Sequence, residues 1–176
     1  MIRQPCGPSH RASAFTLLEI IAVIAILSIL IVLAVPNFSR MSASAQEAVC
    51  TSNMRSIRVA LDSYMQDHSL VWPQGPPPQE AGWAAFWLAA LEPYEIRPET
   101  WECPVIRGWA RGSDDPNVEL HYVPTMFDAT PNIANRWATQ PWLIEIADAH
   151  GRGPLIAFPD GSVKPYATVL AEEGMR

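Results

Sequence analysis

The feature that most constrains this chain is an apolar run near its N-terminus. Residues 15–35 read FTLLEIIAVIAILSILIVLAV, and Glu19 is the one charged residue among them. As a helix, about 21 residues span about 31 Å, the hydrocarbon thickness of a bilayer. A core helix would show a polar stripe, whereas the polar residues here are Thr16, Glu19 and Ser28 alone. The run therefore predicts a membrane-spanning helix.

The residues that flank the run predict its orientation. Arg3, His10 and Arg11 precede it and no acidic residue does, so the positive-inside rule keeps the N-terminus in the cytoplasm and places everything after Pro36 across the membrane. A secretory signal peptide would have an apolar core of about 7–15 residues and a small-residue cleavage site. This run is longer and ends in VPNFSRM, which favours a retained helix.

Glu19 needs a partner, because an ionisable side chain within a span is costly and is a functional hypothesis by default. No Lys or Arg lies within helical reach of it. A cut just before Phe15 would create an α-amino group one helical turn away, in this chain or in a neighbouring copy. The alternative is that Glu19 stays protonated near the interface, where it costs little.

These residues resemble the N-terminal processing segment of type IV prepilins and type II secretion pseudopilins. The likeness rests on the basic leader, on F-T-x-x-E and on the unbroken apolar run that ends in VPNF. It implies that prepilin peptidase cleaves between Ala14 and Phe15 and methylates Phe15, that Glu19 guides docking into a filament, and that Pro36 kinks the helix. Ala14 departs from the glycine that usually precedes the cut, which predicts slower cleavage.

The same resemblance implies a function and a location. We expect a pseudopilin of a type II secretion-like machine in the bacterial inner membrane, with a periplasmic head, that contacts prepilin peptidase, other pilin-like subunits, an assembly platform and, before assembly, lipid. The alternatives are a type IV pilus subunit for adhesion, motility or DNA uptake, and a membrane-tethered ligand-binding module. The net charge of −6 argues against a nucleic-acid surface.

Beyond the apolar run, periodicity predicts an α+β fold. Cys50, Met54, Ile57, Leu61 and Tyr64 share one helical face, so one long helix packs its second half on a small antiparallel sheet, as in type IV pilins. The predicted segments are a leader (1–14), a membrane and assembly half-helix (15–36), an amphipathic half-helix (37–67) and a head (68–176). In the head, a short helix is expected in GWAAFWLAALEPYE, turns in TWECPVIRGWARGSDDPN, and strands in ELHYVPTMF and PWLIEIADAH.

The last part of the chain predicts a hairpin. Asp160-Gly161 lies between two apolar-alternating runs, a strong hairpin signal. His150, which nine residues separate from this pair, completes a likeness to the H-X9-D-G signature of prepilin-type proteins. Asp148, His150 and Asp160 could also converge on calcium or another divalent cation, although calcium prefers six to eight oxygen ligands. The alternative is that His150 bonds a backbone group and that the chain has no cofactor.

Three cysteines suit neither a disulfide scaffold nor a zinc motif. Cys6 would leave with the leader, so Cys50 and Cys103 would face an oxidising compartment, where a disulfide can persist. Such a bridge would add about 4 kcal/mol on the chain-entropy model, and two separate buried thiols are the alternative.

No nucleophile elbow, P-loop or metalloprotease motif occurs in the chain, so we expect no enzyme. The chain has seven tryptophans, and large aromatic side chains commonly anchor cores. A ligand-binding module would instead require tryptophans clustered on the surface.

Overall fold

A computed structural model describes residues 16–78, 80–110 and 120–174, without the side chains of 33–37, 39, 40 and 110. Ala14, Phe15 and Cys6 lie outside these ranges, and so does the side chain of Pro36. The chain forms two compact units, Met1–Met41 and Ser42–Arg176.

Helix α1 dominates the N-terminal part of the chain. It runs over Leu17–Asp67, 51 residues, and its helical assignment continues through position 36. In its second half, Cys50, Met54, Ile57 and Leu61 are fully buried and Tyr64 packs partly buried against the same core. The predicted apolar face is therefore confirmed.

Shorter helices follow α1 along the described chain, two of them, with two 3₁₀ turns, before the first strand and two after it. Helix α2, Trp83–Leu91, leads into a 3₁₀ turn at Glu92–Tyr94, and a second 3₁₀ turn covers Pro98–Trp101. Helices α3, α4 and α5 follow at Pro104–Ala110, Ile133–Arg136 and Tyr166–Glu173. The interpretation of the segment after Trp101 as mostly turns was wrong for α3, because Pro104 starts a helix at a position that needs no N–H donor.

The head contains a four-stranded antiparallel sheet in the order β1-β2-β3-β4. Its strands are Tyr122–Pro124, Leu143–Glu145, Leu155–Ala157 and Val163–Pro165. The register pairs Tyr122 with Glu145, Ile144 with Ile156, and Ile156 with Lys164. The fold is thus α+β, with an N-terminal helix packed on a small sheet, consistent with a pilin-like fold.

The predicted C-terminal hairpin is confirmed as β3–β4. Its turn is closed by hydrogen bonds from the Phe158 N–H to the Ser162 carbonyl, 2.9 Å, and from the Gly161 N–H to the Phe158 carbonyl, 3.0 Å. Gly161 has a φ of 83°, a conformation that glycine adopts without a steric cost.

Aromatic side chains fill the head core. Trp72 lies 5.2 Å from Trp142 and 4.9 Å from Phe127, centroid to centroid, both edge to face. Trp72, Trp87, Trp101 and Trp142 are buried, whereas Trp109 and Trp137 are about half exposed. The interpretation of the tryptophans as core is confirmed for these four.

Candidate functional site

The first described turn of α1 holds the acidic residue of the apolar run. Glu19 is exposed, and its backbone N–H donates to the Thr16 hydroxyl, 3.2 Å, and to the Thr16 carbonyl, 3.1 Å. Thr16 thereby caps the helix. The Glu19 carboxylate, three residues later, interacts favourably with the positive end of the helix dipole. The spacing T-x-x-E is a capping-box signal that sequence reasoning did not use.

The first half of α1 presents apolar side chains to its surroundings. Between residues 16 and 32 every side chain is exposed, and the Ser28 hydroxyl bonds back to the Ile24 carbonyl at 2.7 Å. The large exposed members are Leu17, Leu18, Ile20, Ile21, Val23, Ile24, Ile26, Leu27, Ile29, Leu30, Ile31 and Val32. Across the described part of the chain, no helix combines the length and the apolarity of a membrane span.

A second candidate site is a buried cluster in the head. It consists of Cys50 from α1, Cys103 just before α3, Glu145 at the end of β2, and His150 in the β2–β3 connection. One donor atom from each residue lies within 4.8 Å of the others. Three parts of the chain that are distant in sequence, at residues 50, 103 and 145–150, therefore converge on one small volume.

The contacts within the cluster are close, and its side chains are almost fully buried. The two sulfurs are 2.7 Å apart, Cys103 Sγ is 3.9 Å from His150 Nε2, and that nitrogen is 3.4 Å from Glu145 Oε1. The side chains of Glu145 and His150 are 0% and 3% exposed. Glu145 Oε2 accepts a hydrogen bond from the Leu155 N–H, 3.1 Å, whereas Oε1 has no hydrogen-bond partner among the described residues.

These surroundings shift the acid–base behaviour of the cluster. The hydrogen bond between the two thiols lowers the pKa of Cys50 and, together with burial, raises the pKa of Cys103. Burial raises the pKa of Glu145 to about 7. Next to the cluster, burial lowers the pKa of His121, whose Nδ1 accepts the Cys103 N–H at 2.8 Å. A neutral imidazole is the form that can accept this bond.

The structure does not gather Asp148, His150 and Asp160 into one group of donor atoms within the described residues. Asp148 Oδ1 instead accepts the Gly151 N–H at 2.7 Å, and Asp160 Oδ1 accepts the Ser162 N–H at 2.8 Å. Both carboxylates cap turns, as Asp commonly does. Of the three predicted residues, only His150 belongs to the buried cluster.

For the two cysteines, the structure shows where their side chains lie and does not test whether they form a disulfide. Cys50 and Cys103 do meet in the core, and both are free thiols in this structure. Their disulfide stays a prediction. Glu145 was missed, although an acid between Ile144 and Ile146 in an apolar strand is a recognisable signal of a buried polar site.

The N-terminal segment is the part of the chain that matches a known protein family. Residues 9–35 match the family described as the prokaryotic N-terminal methylation motif. The match covers the leader end, the predicted cleavage position and the apolar run with Glu19, and it is consistent with a type IV prepilin-like protein. No curated protein and no solved structure matches the chain.

Proposed function

We propose that this chain is a pilin-like structural subunit, a pseudopilin, that prepilin peptidase cleaves before Phe15 and that assembles through the first half of α1. The observation that carries the proposal is the coincidence of the methylation motif at residues 9–35 with an uninterrupted set of exposed apolar side chains at the start of α1. The protein acts by assembly and not by catalysis. The likeness of the C-terminal region to H-X9-D-G proteins supports the same assignment.

Before assembly, the apolar half of α1 resides in the inner membrane, with the N-terminus cytoplasmic and the head periplasmic. On assembly, the helix exchanges lipid contacts for contacts with other subunits and with the inner-membrane platform. Lipid tails and apolar side chains have similar polarity, so the hydrophobic gain is small and packing supplies the specificity. Glu19 adds a charge partner for the new amino group of Phe15 of a neighbouring subunit.

Processing is the first test. N-terminal sequencing and mass spectrometry of the protein from its native membrane should find a chain that begins with N-methyl-phenylalanine at Phe15. An intact Met1 in a host with active peptidase would contradict the proposal. Restoring the usual residue with Ala14→Gly should raise the processed fraction if Ala14 slows the cut.

Assembly is the second test. Glu19→Gln keeps the size of the side chain and removes its charge, so cleavage should continue while filament formation falls strongly. Ser28→Ala is the matched control, because its hydroxyl donates to the Ile24 carbonyl of its own helix. Filaments are counted by electron microscopy of sheared cell material. Normal filaments from Glu19→Gln cells would refute the role of the acid.

A pilus subunit remains the second candidate, because the methylation motif serves both systems. Deletion that blocks export of proteins across the outer membrane supports the pseudopilin role, whereas deletion that removes surface fibres and motility supports the pilus role. The tethered binding module is the least favoured, since four of the seven tryptophans are core residues.

A further inference from the structure

We propose that Cys50, Cys103, Glu145 and His150 bind one thiophilic divalent metal ion of the zinc type in the core of the head. The inference rests on the four donors of the buried cluster, which lie within 4.8 Å of one another. It does not depend on the assembly role of α1.

Two of the three donor separations given above are close to those of tetrahedral coordination. Zinc bonds of about 2.0–2.3 Å to nitrogen, oxygen and sulfur give donor separations of about 3.4–3.8 Å at the edges of a tetrahedron. His150 Nε2 is 3.4 Å from Glu145 Oε1 and 3.9 Å from Cys103 Sγ. The two sulfurs, at 2.7 Å, have to separate by about 1 Å to reach this geometry.

Glu145 is the feature that points to a cation. Its carboxyl group is fully buried, and Oε1, which faces His150, has no hydrogen-bond partner in the described part of the chain. A buried carboxylate without compensation costs several kcal/mol. A divalent ion at the centre of the cluster would supply that compensation and would use the unpaired oxygen.

The surroundings also support thiolate ligands. The Tyr122 hydroxyl is buried beside Cys50, and it has no hydrogen-bond partner among the described residues. A hydroxyl donor beside a thiolate is a typical outer-shell partner, and the Leu155 N–H plays the same part for Glu145.

The donor set selects the class of metal. Two sulfurs, one imidazole and one carboxylate suit zinc, whereas calcium requires six to eight oxygens. Four protein donors leave no open position, which is typical of a structural and not a catalytic site. The ion would tie α1 to the segment before α3 and to the sheet, and its binding would release the thiol protons.

The test uses the full chain, purified in detergent with a thiol reductant and without oxygen. We expect one zinc per chain by elemental mass spectrometry, and a thiolate-to-metal charge-transfer band with tetrahedral d–d bands when cobalt replaces zinc. Zinc should raise the unfolding temperature, and calcium should not. His150→Gln and Cys103→Ser should weaken zinc binding by about 100-fold or more, since even outer-shell changes cost about 10- to 100-fold.

Two substitutions serve as matched controls. Cys6→Ser removes the third cysteine, and His68→Gln removes an exposed histidine that stacks on Tyr64; both should bind zinc as the parent does. The cobalt spectrum of the unsubstituted chain reports sulfur ligands even if a variant fails to fold. Three results would overturn the site: no zinc in the reduced protein, undiminished zinc in His150→Gln, or a metal-free chain isolated from cells with Cys50 and Cys103 joined as a disulfide.

Discussion

Gly161 is the residue on which the β3–β4 turn most depends. Its φ of 83° lies in the left-handed region, and a Cβ built on it meets nothing within 4 Å, so the cost of a side chain is conformational and not steric. We expect Gly161→Ala to lower the free energy of unfolding by about 1–2 kcal/mol. Urea unfolding of the full chain in detergent, followed by circular dichroism, measures the change.

Gly108 provides the control for this substitution. It lies within α3 without a positive φ, and nothing lies within 4 Å of its added Cβ. Gly108→Ala should therefore be neutral or stabilise the protein by up to about 1 kcal/mol. Equal losses at both positions would mean that the turn conformation is not what matters.

Asp160 gives the same turn a dependence on pH. Hydrogen bonds from Ser162 lower the pKa of this carboxyl group, so the folded state favours the charged form. Charged Asp160 stabilises the folded state fully when the pH is above the ordinary pKa of about 3.8. This contribution is lost as the pH falls through the lower pKa of the folded state. Because the group is exposed, the effect is below about 1 kcal/mol.

Asp160→Asn keeps an acceptor for the Ser162 N–H and removes the titration. We expect the parent to be more stable than this variant at about pH 7, and the difference to shrink towards zero at about pH 2–3. Urea midpoints of both proteins at the two pH values test it. A difference that grows on acidification would have the wrong sign for this account.

At the scale of elements, α1 shows which side of a helix carries stability. Ile57 is fully buried in the head core, whereas Val59, two positions later, is 55% exposed. Ile57→Ala should cost about 2–5 kcal/mol, because it leaves a cavity in a packed core. Val59→Ala should stay within about 0.5 kcal/mol. Thermal unfolding of the two variants compares them directly, and similar losses would contradict the assignment of the buried face.

Periodicity explains why α1 and α2 could be predicted and α3 and α5 could not. The 4-3-4-3 spacing of apolar residues from Cys50 to Tyr64 is that of one face of an α-helix, so the segment is predicted as helical. Helix α3 has seven residues, with Gly108 inside it and Pro104 at its start, so its local propensity resembles that of a turn. Helix α5 follows directly after β4 and has no buried residue, so it lacks the apolar stripe that reveals a helix in a sequence.

At the scale of the whole chain, the two candidate sites differ in how far sequence could predict them. The N-terminal motif is contiguous, so its chemistry can be read from neighbouring residues. The buried cluster joins Cys50, Cys103, Glu145 and His150 from α1, a connection, β2 and a loop. The packing of α1 and of the segment before α3 against the sheet brings them together, and the pairing of β1 with β2 sets Tyr122 opposite Glu145 beside the cluster. The sequence predicts that Cys50 and Cys103 can meet, and it offers Asp148 and Asp160 as possible companions of His150 because two carboxylates and an imidazole suit a divalent cation.

The division of the chain predicts that the head folds without the N-terminal segment. Every core residue of the described chain lies between Cys50 and Ala157, within the unit Ser42–Arg176, whereas the exposed apolar run lies before residue 41. A fragment of residues 42–176 should therefore stay monomeric without detergent and unfold cooperatively, at a temperature within a few degrees of that of the full chain. Sedimentation and circular dichroism measure both properties. Aggregation, or a near-ultraviolet spectrum without fixed tryptophan bands, would show that residues before 42 contribute to the core of the head.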